Sequence, residues 1–174
     1  MKQLELTQGE YGLEGRISLD AWEDGDAEEE SGQIRLDFGG DQADAGEELT
    51  DSYQTALSYL FARQHEVRSA ILQAVASHLQ QQRDDWMSGE LEEAQPAPAQ
   101  EAEPADLLGQ LQLEEVHILP VEKDGLCYIG YGFGCRWDED GIGVMTHGCR
   151  VVEVGSRDTA LLCWLAEDDS RRVD

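Results

Sequence analysis

Residues 113–155 constrain the possible folds of this chain most strongly, because apolar and small residues alternate there between turn signals. Two such turns, Lys123–Gly125 and Asp138–Gly141, separate consecutive runs. Runs of this length joined by short turns are typical of neighbouring antiparallel strands. The sequence therefore predicts a C-terminal meander of four strands: Leu113–Val121, Leu126–Trp137, Ile142–His147 and Cys149–Val154.

Three earlier segments alternate with period two: Lys2–Thr7, Leu13–Trp22 and Gln33–Phe38. This alternation places apolar side chains on one face of a strand and polar side chains on the other. We therefore expect an antiparallel sheet, or two, with one buried face and one face in water.

Between Asp51 and Asp85 the apolar residues recur at helical spacing, with a break near Arg63–His65. Thr50 or Asp51 is suited to cap the start of this region. The pattern predicts either two helices or one kinked helix, packed on the buried face of the sheet.

A short final helix is predicted from Arg157 to Ala166, with Ser156 as its cap. Trp164 is expected near an edge, and the charged residues 167–174 are expected to fray. The residues expected to face inward are Leu161, Leu162 and Leu165.

These elements predict a single α+β domain over residues 1–174. Residues 1–87 hold the first strands and the helical layer, and residues 107–174 hold the meander and the final helix. Residues 88–106, rich in proline, alanine and acids, are interpreted as a linker between these parts.

Negative charge is concentrated in two segments of the chain. The sequence has 12 basic and 38 acidic residues, a net charge of −26. Residues 20–51 contain 13 acids and one base, and residues 84–106 contain eight acids and no base. Phosphate affinity needs clusters of lysine and arginine, so this composition argues against nucleic-acid binding.

The composition also bears on location. No apolar run approaches the roughly 18 residues that a membrane span needs, and the first residues lack the apolar core of a signal peptide. We therefore expect a cytoplasmic protein without a membrane partner. Its four cysteines, Cys127, Cys135, Cys149 and Cys163, are expected to be reduced thiols in or near the core.

Potential metal ligands gather in the meander, but their spacing is not that of a known site. Paired Cys-x-x-Cys, His-x-x-x-His and EF-hand patterns are all missing. The candidates are Cys135, Asp138, Asp140, His147 and Cys149.

A nucleophilic thiol, Cys135 or Cys149 with His147 or His117, would need an electropositive setting. Acidic residues close to Cys135 oppose that setting, and Arg136 and Arg150 offset it only in part. The sequence thus predicts no catalytic residue, no metal and no cofactor, and favours packing roles for these side chains.

Gly130, Gly132 and Gly134 alternate with aromatic residues inside a predicted strand. A phosphate-binding loop would instead lead into the start of a helix. Glycines on one face of a strand allow another backbone or a ring to lie close. Packing is therefore the favoured role, with a binding groove as the alternative.

A recognition surface is predicted where an aromatic residue adjoins three carboxylates, at Trp137, Asp138, Glu139 and Asp140. An aromatic anchor within a charged rim is a common way to hold a protein partner. The acidic residues Glu28, Glu29 and Glu30 are predicted to add charge to this surface. The bland interpretation is a solvated acidic turn whose tryptophan packs on the core.

Residues 123–130, 135–144 and 147–152 resemble the signature of an uncharacterised bacterial domain family. The family patterns are D-G-x-x-Y-x-G, C-x-W-D-x-E-H-G-x-G-V and H-x-x-R-V-V. This chain departs from them where Asp140 directly precedes Gly141, since the family often has histidine there. The resemblance implies no established activity. The members of this family look like small acidic proteins that are encoded beside secreted or contact-delivered bacterial toxins.

Three functional hypotheses follow, and the sequence predicts no oligomeric state. The first is a non-enzymatic interaction protein, an immunity protein that binds and blocks a basic toxin. The second is a small-ligand or metal-dependent enzyme that uses the region of Cys135, His147 and Cys149. The third is that the acidity serves solubility alone.

Overall fold

The described part of the chain is organised around a seven-stranded sheet. The computed structural model describes residues 6–9, 12–22, 34–41, 48–87, 111–135 and 138–172. The strands of this sheet are hydrogen-bonded in the order in which they occur in the sequence. The strands are β1 (Leu6–Gly9), β2 (Gly12–Ile17), β3 (Ile34–Phe38), β4 (Leu111–Lys123), β5 (Leu126–Cys135), β6 (Asp138–His147) and β7 (Arg150–Gly155). The helices are α1 (Asp51–Ala62), α2 (Gln64–Met87) and α3 (Cys163–Ser170), and 3-10 turns cover Asp20–Trp22 and Arg157–Leu161.

Five of the six strand pairings are antiparallel, and β4 to β7 form the predicted meander. The exception is β3 with β4, which run parallel, with Leu36 opposite Val116. Parallel neighbours need a long crossover, and here α1 and α2 lie in that connection. The α+β class and the meander are confirmed, with this one parallel pair in a mostly antiparallel sheet.

Helices α1 and α2 cover the first face of the sheet, as predicted. Thr50 caps α1, since its Oγ1 accepts a hydrogen bond from the Tyr53 backbone N–H at 3.2 Å. The chain breaks at Arg63, so two helices form instead of one kinked helix. Their buried residues join the inward side chains of β3 to β6 in the main core: Tyr53, Ala56, Leu60, Val67, Ile71, Val75, Leu36, Phe38, Val116, Tyr131, Phe133 and Val144.

Glycines allow the C-terminal segment to lie directly on the second face. An added Cβ on Gly130 would overlap the backbone carbonyl of Ala160, in the 3-10 turn at Arg157–Leu161. Gly143 faces the same turn, where a Cβ would lie 2.5 Å from the Ser156 carbonyl oxygen. The favoured packing role of Gly130 is therefore confirmed.

Two expected boundaries in the sheet are wrong. Strand β2 ends at Ile17 rather than Trp22, because the chain turns, burying Leu19 just before the 3-10 turn at Asp20–Trp22 and Ala21 within it. The acidic stretch from Asp138 is not a tight turn but the start of β6. A β-bulge in the β5–β6 pairing and the left-handed φ of 80° at Gly141 accompany this longer hairpin.

The predicted final helix is wrong in extent and in phase. A 3-10 turn precedes α3, and α3 continues to Ser170 through residues expected to fray. Its inward residues are Cys163, Ala166 and Asp169, while Trp164 is 59% exposed. The three leucines expected to face inward, Leu161, Leu162 and Leu165, are only half-buried.

The predicted linker at residues 88–106 lies outside the described residues, as do Lys2–Glu5 of the first predicted strand. All four cysteines are free thiols, with Cys127 and Cys163 buried and the other two half-buried. Among the described helices, none has the length and apolar character required to cross a membrane.

Replacing Gly130 with alanine should destabilise the fold by about 2–3 kcal/mol, because the new methyl group meets a backbone that cannot rotate away. Gly155→Ala is the matched control, since the added Cβ there meets the Thr159 side chain, which can turn aside. Urea unfolding at neutral pH measures both changes. Equal losses in the two variants would show that close backbone packing at Gly130 is not the cause.

Candidate functional site

The predicted recognition surface is visible only in part. Asp140 is exposed at the start of β6, and the backbones of Asp138 and Glu139 belong to that strand. The side chains of Asp138 and Glu139 lie outside the described residues. So do Trp137 and the auxiliary acids Glu28, Glu29 and Glu30. This surface stays a prediction.

The structure does not bring the three residues of the enzyme hypothesis together. Cys135 is paired with Asp138 at the first residue of β6, whereas His147 is its last residue. A ten-residue strand spans roughly 30 Å. Cys149 follows in the turn to β7, on the side of His147. Cys135 therefore lies at the opposite end of the hairpin from the other two.

His147 and Cys149 are also engaged separately. The His147 Nε2–H donates to the backbone oxygen of Lys123 at 2.8 Å. The Cys149 Sγ lies 2.9 Å from the Tyr59 hydroxyl and 3.5 Å from Glu66 Oε2. Burial, and then the contact with Cys149, raise the pKa of Tyr59 to about 12. Within the described residues, no three His, Cys, Asp or Glu side chains are grouped as metal ligands would be.

A buried charged cluster on the second face was missed by the sequence analysis. His117 on β4 is 4% exposed, and its Nδ1 lies 2.5 Å from Asp37 Oδ1 on β3. Its Nε2 lies 3.4 Å from Glu115 Oε1, within ion-pair distance but without the geometry of a hydrogen bond. Asp37 and His117 are direct neighbours across the parallel pair of strands.

The cluster holds its central histidine charged at neutral pH. Burial opposes protonation, but the contacts with Asp37 and Glu115 outweigh it and raise the pKa of His117 to about 9. The pKa of Glu115 is lowered to about 2, chiefly by His117, against the effect of burial and with help from Arg157. A buried charge is tolerated in this way only when it is paired.

Arg157 extends the cluster to the C-terminal segment. Its Nε donates to Glu115 Oε1 at 3.0 Å, and its Nη2 donates to Glu114 Oε2 at 2.7 Å. Glycines on β5 leave room for both acids, since a Cβ on Gly132 would lie 2.6 Å from Glu115 Cγ and one on Gly134 would collide with Glu114. The cluster therefore joins β3, β4 and the 3-10 turn at Arg157–Leu161.

A second polar anchor fixes α3. Asp169 accepts two hydrogen bonds from Arg150, at 3.0 and 2.6 Å, and one from the Tyr128 hydroxyl at 2.7 Å. Its side chain is 8% exposed. The hydrogen bonds from Arg150, against the effect of burial and with help from Tyr128, lower the pKa of Asp169 to about 2. The two anchors hold the segment from Arg157 to Ser170 at both ends.

Comparison with known proteins identifies one family. A family described as a domain of unknown function, DUF6985, matches residues 13–161. The chain belongs to this family. No curated protein and no solved structure matches it. In this DUF6985 member the matched residues run from β2 to the 3-10 turn and include the charged cluster, whereas α3 lies beyond them.

The charged cluster should make stability fall as the pH rises. Because the pKa of His117 in the fold exceeds its ordinary value of 6.5, its contribution is complete below about pH 6.5 and is lost as the pH passes about 9. The loss should be about 3 kcal/mol. His117→Gln should remove most of this slope in urea unfolding, whereas His65→Gln, at an exposed histidine of α2, should retain it. Identical pH profiles for the two variants would contradict the assignment.

Asp169→Asn should lower the free energy of unfolding by about 2 kcal/mol, because Arg150 and the Tyr128 hydroxyl lose the carboxylate that both of them contact. The neighbouring change Asp168→Asn is the control. It removes an exposed ion pair with Arg172 and should cost less than about 0.5 kcal/mol. Thermal unfolding of the two variants at neutral pH compares them, and a larger loss in Asp168→Asn would refute the anchor.

Proposed function

We propose that this protein is a non-enzymatic interaction protein that uses its negative charge to bind a basic protein. In a bacterial cytoplasm its role would be that of an immunity protein, which binds a basic toxin and blocks it. Toxins that act on nucleic acids need positively charged clefts, and an acidic protein can occupy such a cleft.

The observation that carries the proposal is where the basic side chains of the described residues lie. Five arginines form ion pairs with carboxylates of this same chain: Arg35, Arg63, Arg150, Arg157 and Arg172. Arg157 and Arg150 serve the two anchors of the C-terminal segment. These five positive charges are thus neutralised by carboxylates of the same chain, and a large acidic excess remains.

Exposed carboxylates occur on several elements around the sheet, among them Asp51, Glu122, Asp124, Asp140, Glu153, Asp158 and Asp168. A surface of one sign steers an oppositely charged partner and raises its association rate by about 10–1,000-fold at low salt. This effect falls steeply as salt is added. A basic partner is the class of protein that such a surface favours.

The enzyme hypothesis is less well supported. Cys135 is remote from His147 and Cys149, as the β5–β6 hairpin requires. A surface depression lined by Thr7, Glu14, Gly15, Arg16 and Arg35 has a volume of about 120 Å³, below the roughly 300 Å³ of typical ligand pockets. It also lies on β1 to β3, away from these residues.

The proposal is tested by capture of proteins from the native host at about 50 mM salt. The matched control carries Glu28→Gln, Glu29→Gln, Glu30→Gln, Asp138→Asn, Glu139→Gln and Asp140→Asn, which removes six charges without changing side-chain size. Wild type should retain a basic protein, the control should retain less of it because six attracting charges are gone, and co-expression should relieve any toxicity of that protein. Failure to retain a basic protein, or undiminished toxicity on co-expression, would refute the proposal.

A further inference from the structure

Trp164 is the most exposed large apolar side chain of the described residues, at 59%. It lies in the first turn of α3, between the fully buried Cys163 and the half-buried Leu165. Leu161, in the preceding 3-10 turn, is half-buried as well. Trp164 is thus an exposed apolar side chain on the outside of α3.

The support beneath Trp164 is rigid. Cys163 and Ala166 are 1% and 0% exposed on the sheet side of α3. The Cys163 backbone N–H donates to Asp41 Oδ1 at 3.1 Å, which closes the start of the helix. The anchor at Asp169 holds its end. A ring held on a fixed helix loses little further freedom when a partner binds it.

Carboxylates lie on the same face of α3. Glu167 and Asp168 follow Trp164 by three and four residues, which places them one helical turn from the indole. The Asp168 carboxylate pairs with Arg172 at 3.1 Å, and both side chains are largely exposed. Exposed ion pairs contribute roughly 0–1 kcal/mol, so a partner's cation can replace Arg172 at little cost.

We propose that Trp164, Glu167 and Asp168 form the docking surface for a basic protein, with an arginine or lysine of that partner stacked on the indole ring. A cation stacked on the tryptophan face makes a cation–π contact with the ring and an ion pair with the adjacent carboxylates. A second copy of this chain fits poorly, because two molecules of charge −26 repel each other. The inference rests on the proposed function and adds a docking surface on α3 to the recognition surface predicted at residues 137–140.

The test titrates the full chain with a nona-arginine peptide at about 50 mM salt. Calorimetry gives the affinity, and NMR follows the indole N–H signals of all tryptophans, with Trp164→Phe identifying its own. Trp164→Ala should weaken binding roughly fivefold or more. Glu167→Gln with Asp168→Asn should weaken it as well. Phe61→Ala, at the other exposed large apolar residue, is the control and should bind as wild type does.

The outcomes separate the two proposals. Binding by wild type with an unchanged affinity in Trp164→Ala would overturn the docking surface and leave the proposed function in place. If wild type fails to bind the peptide at low salt, both proposals fail. A dimer that depends on Trp164 in sedimentation analysis would also overturn the inference, because a second copy would then occupy the surface. Circular dichroism confirms that each variant is folded.

Discussion

The close approach of the 3-10 turn at Arg157–Leu161 to the sheet is the contact on which the rest of the structure depends. Gly130 and Gly143 expose bare backbone, and the Ala160 backbone lies directly on it. At this separation Arg157 reaches Glu115, which together with Asp37 keeps the buried His117 protonated. Side chains at the two glycines would lift the turn away and leave the Glu115 carboxylate without its hydrogen bond from Arg157.

The chain has few basic residues, and two of them hold the C-terminal segment to the sheet. Arg157 and Arg150 pair with carboxylates that the fold buries or half-buries, at Glu115 and Asp169. Stability and net charge are therefore coupled, because the two cations that hold the C-terminal segment also neutralise two of the chain's carboxylates.

Local pattern predicted most of the fold. Alternation identified the strands, the side chain of Thr50 identified the start of α1, and the break near Arg63 was visible in the apolar spacing. What could not be predicted depends on contacts between distant residues. Asp37 and His117 are 80 residues apart, and their pairing needs a parallel register that has no local signature.

The same limit explains the errors in the C-terminal segment and the candidate site. Leucines at helical spacing suggested which side of the final helix is buried. Asp169 nevertheless faces inward, because Arg150 and Tyr128 donate hydrogen bonds to its carboxylate. The importance of His117 was hidden because alternation assigns it to the polar face of β4, next to apolar Val116 and Ile118. Trp164 became a candidate only once its exposure was known.

The parallel pairing of β3 with β4 has a consequence for synthesis on the ribosome. Strand β3 ends at Phe38 and its neighbour begins at Leu111, so the first three strands emerge long before their partner does. Until then the edge of β3 has open hydrogen-bonding groups beside apolar side chains, an arrangement that invites aggregation. During that interval, the acidic residues between these two strands make nascent chains repel one another.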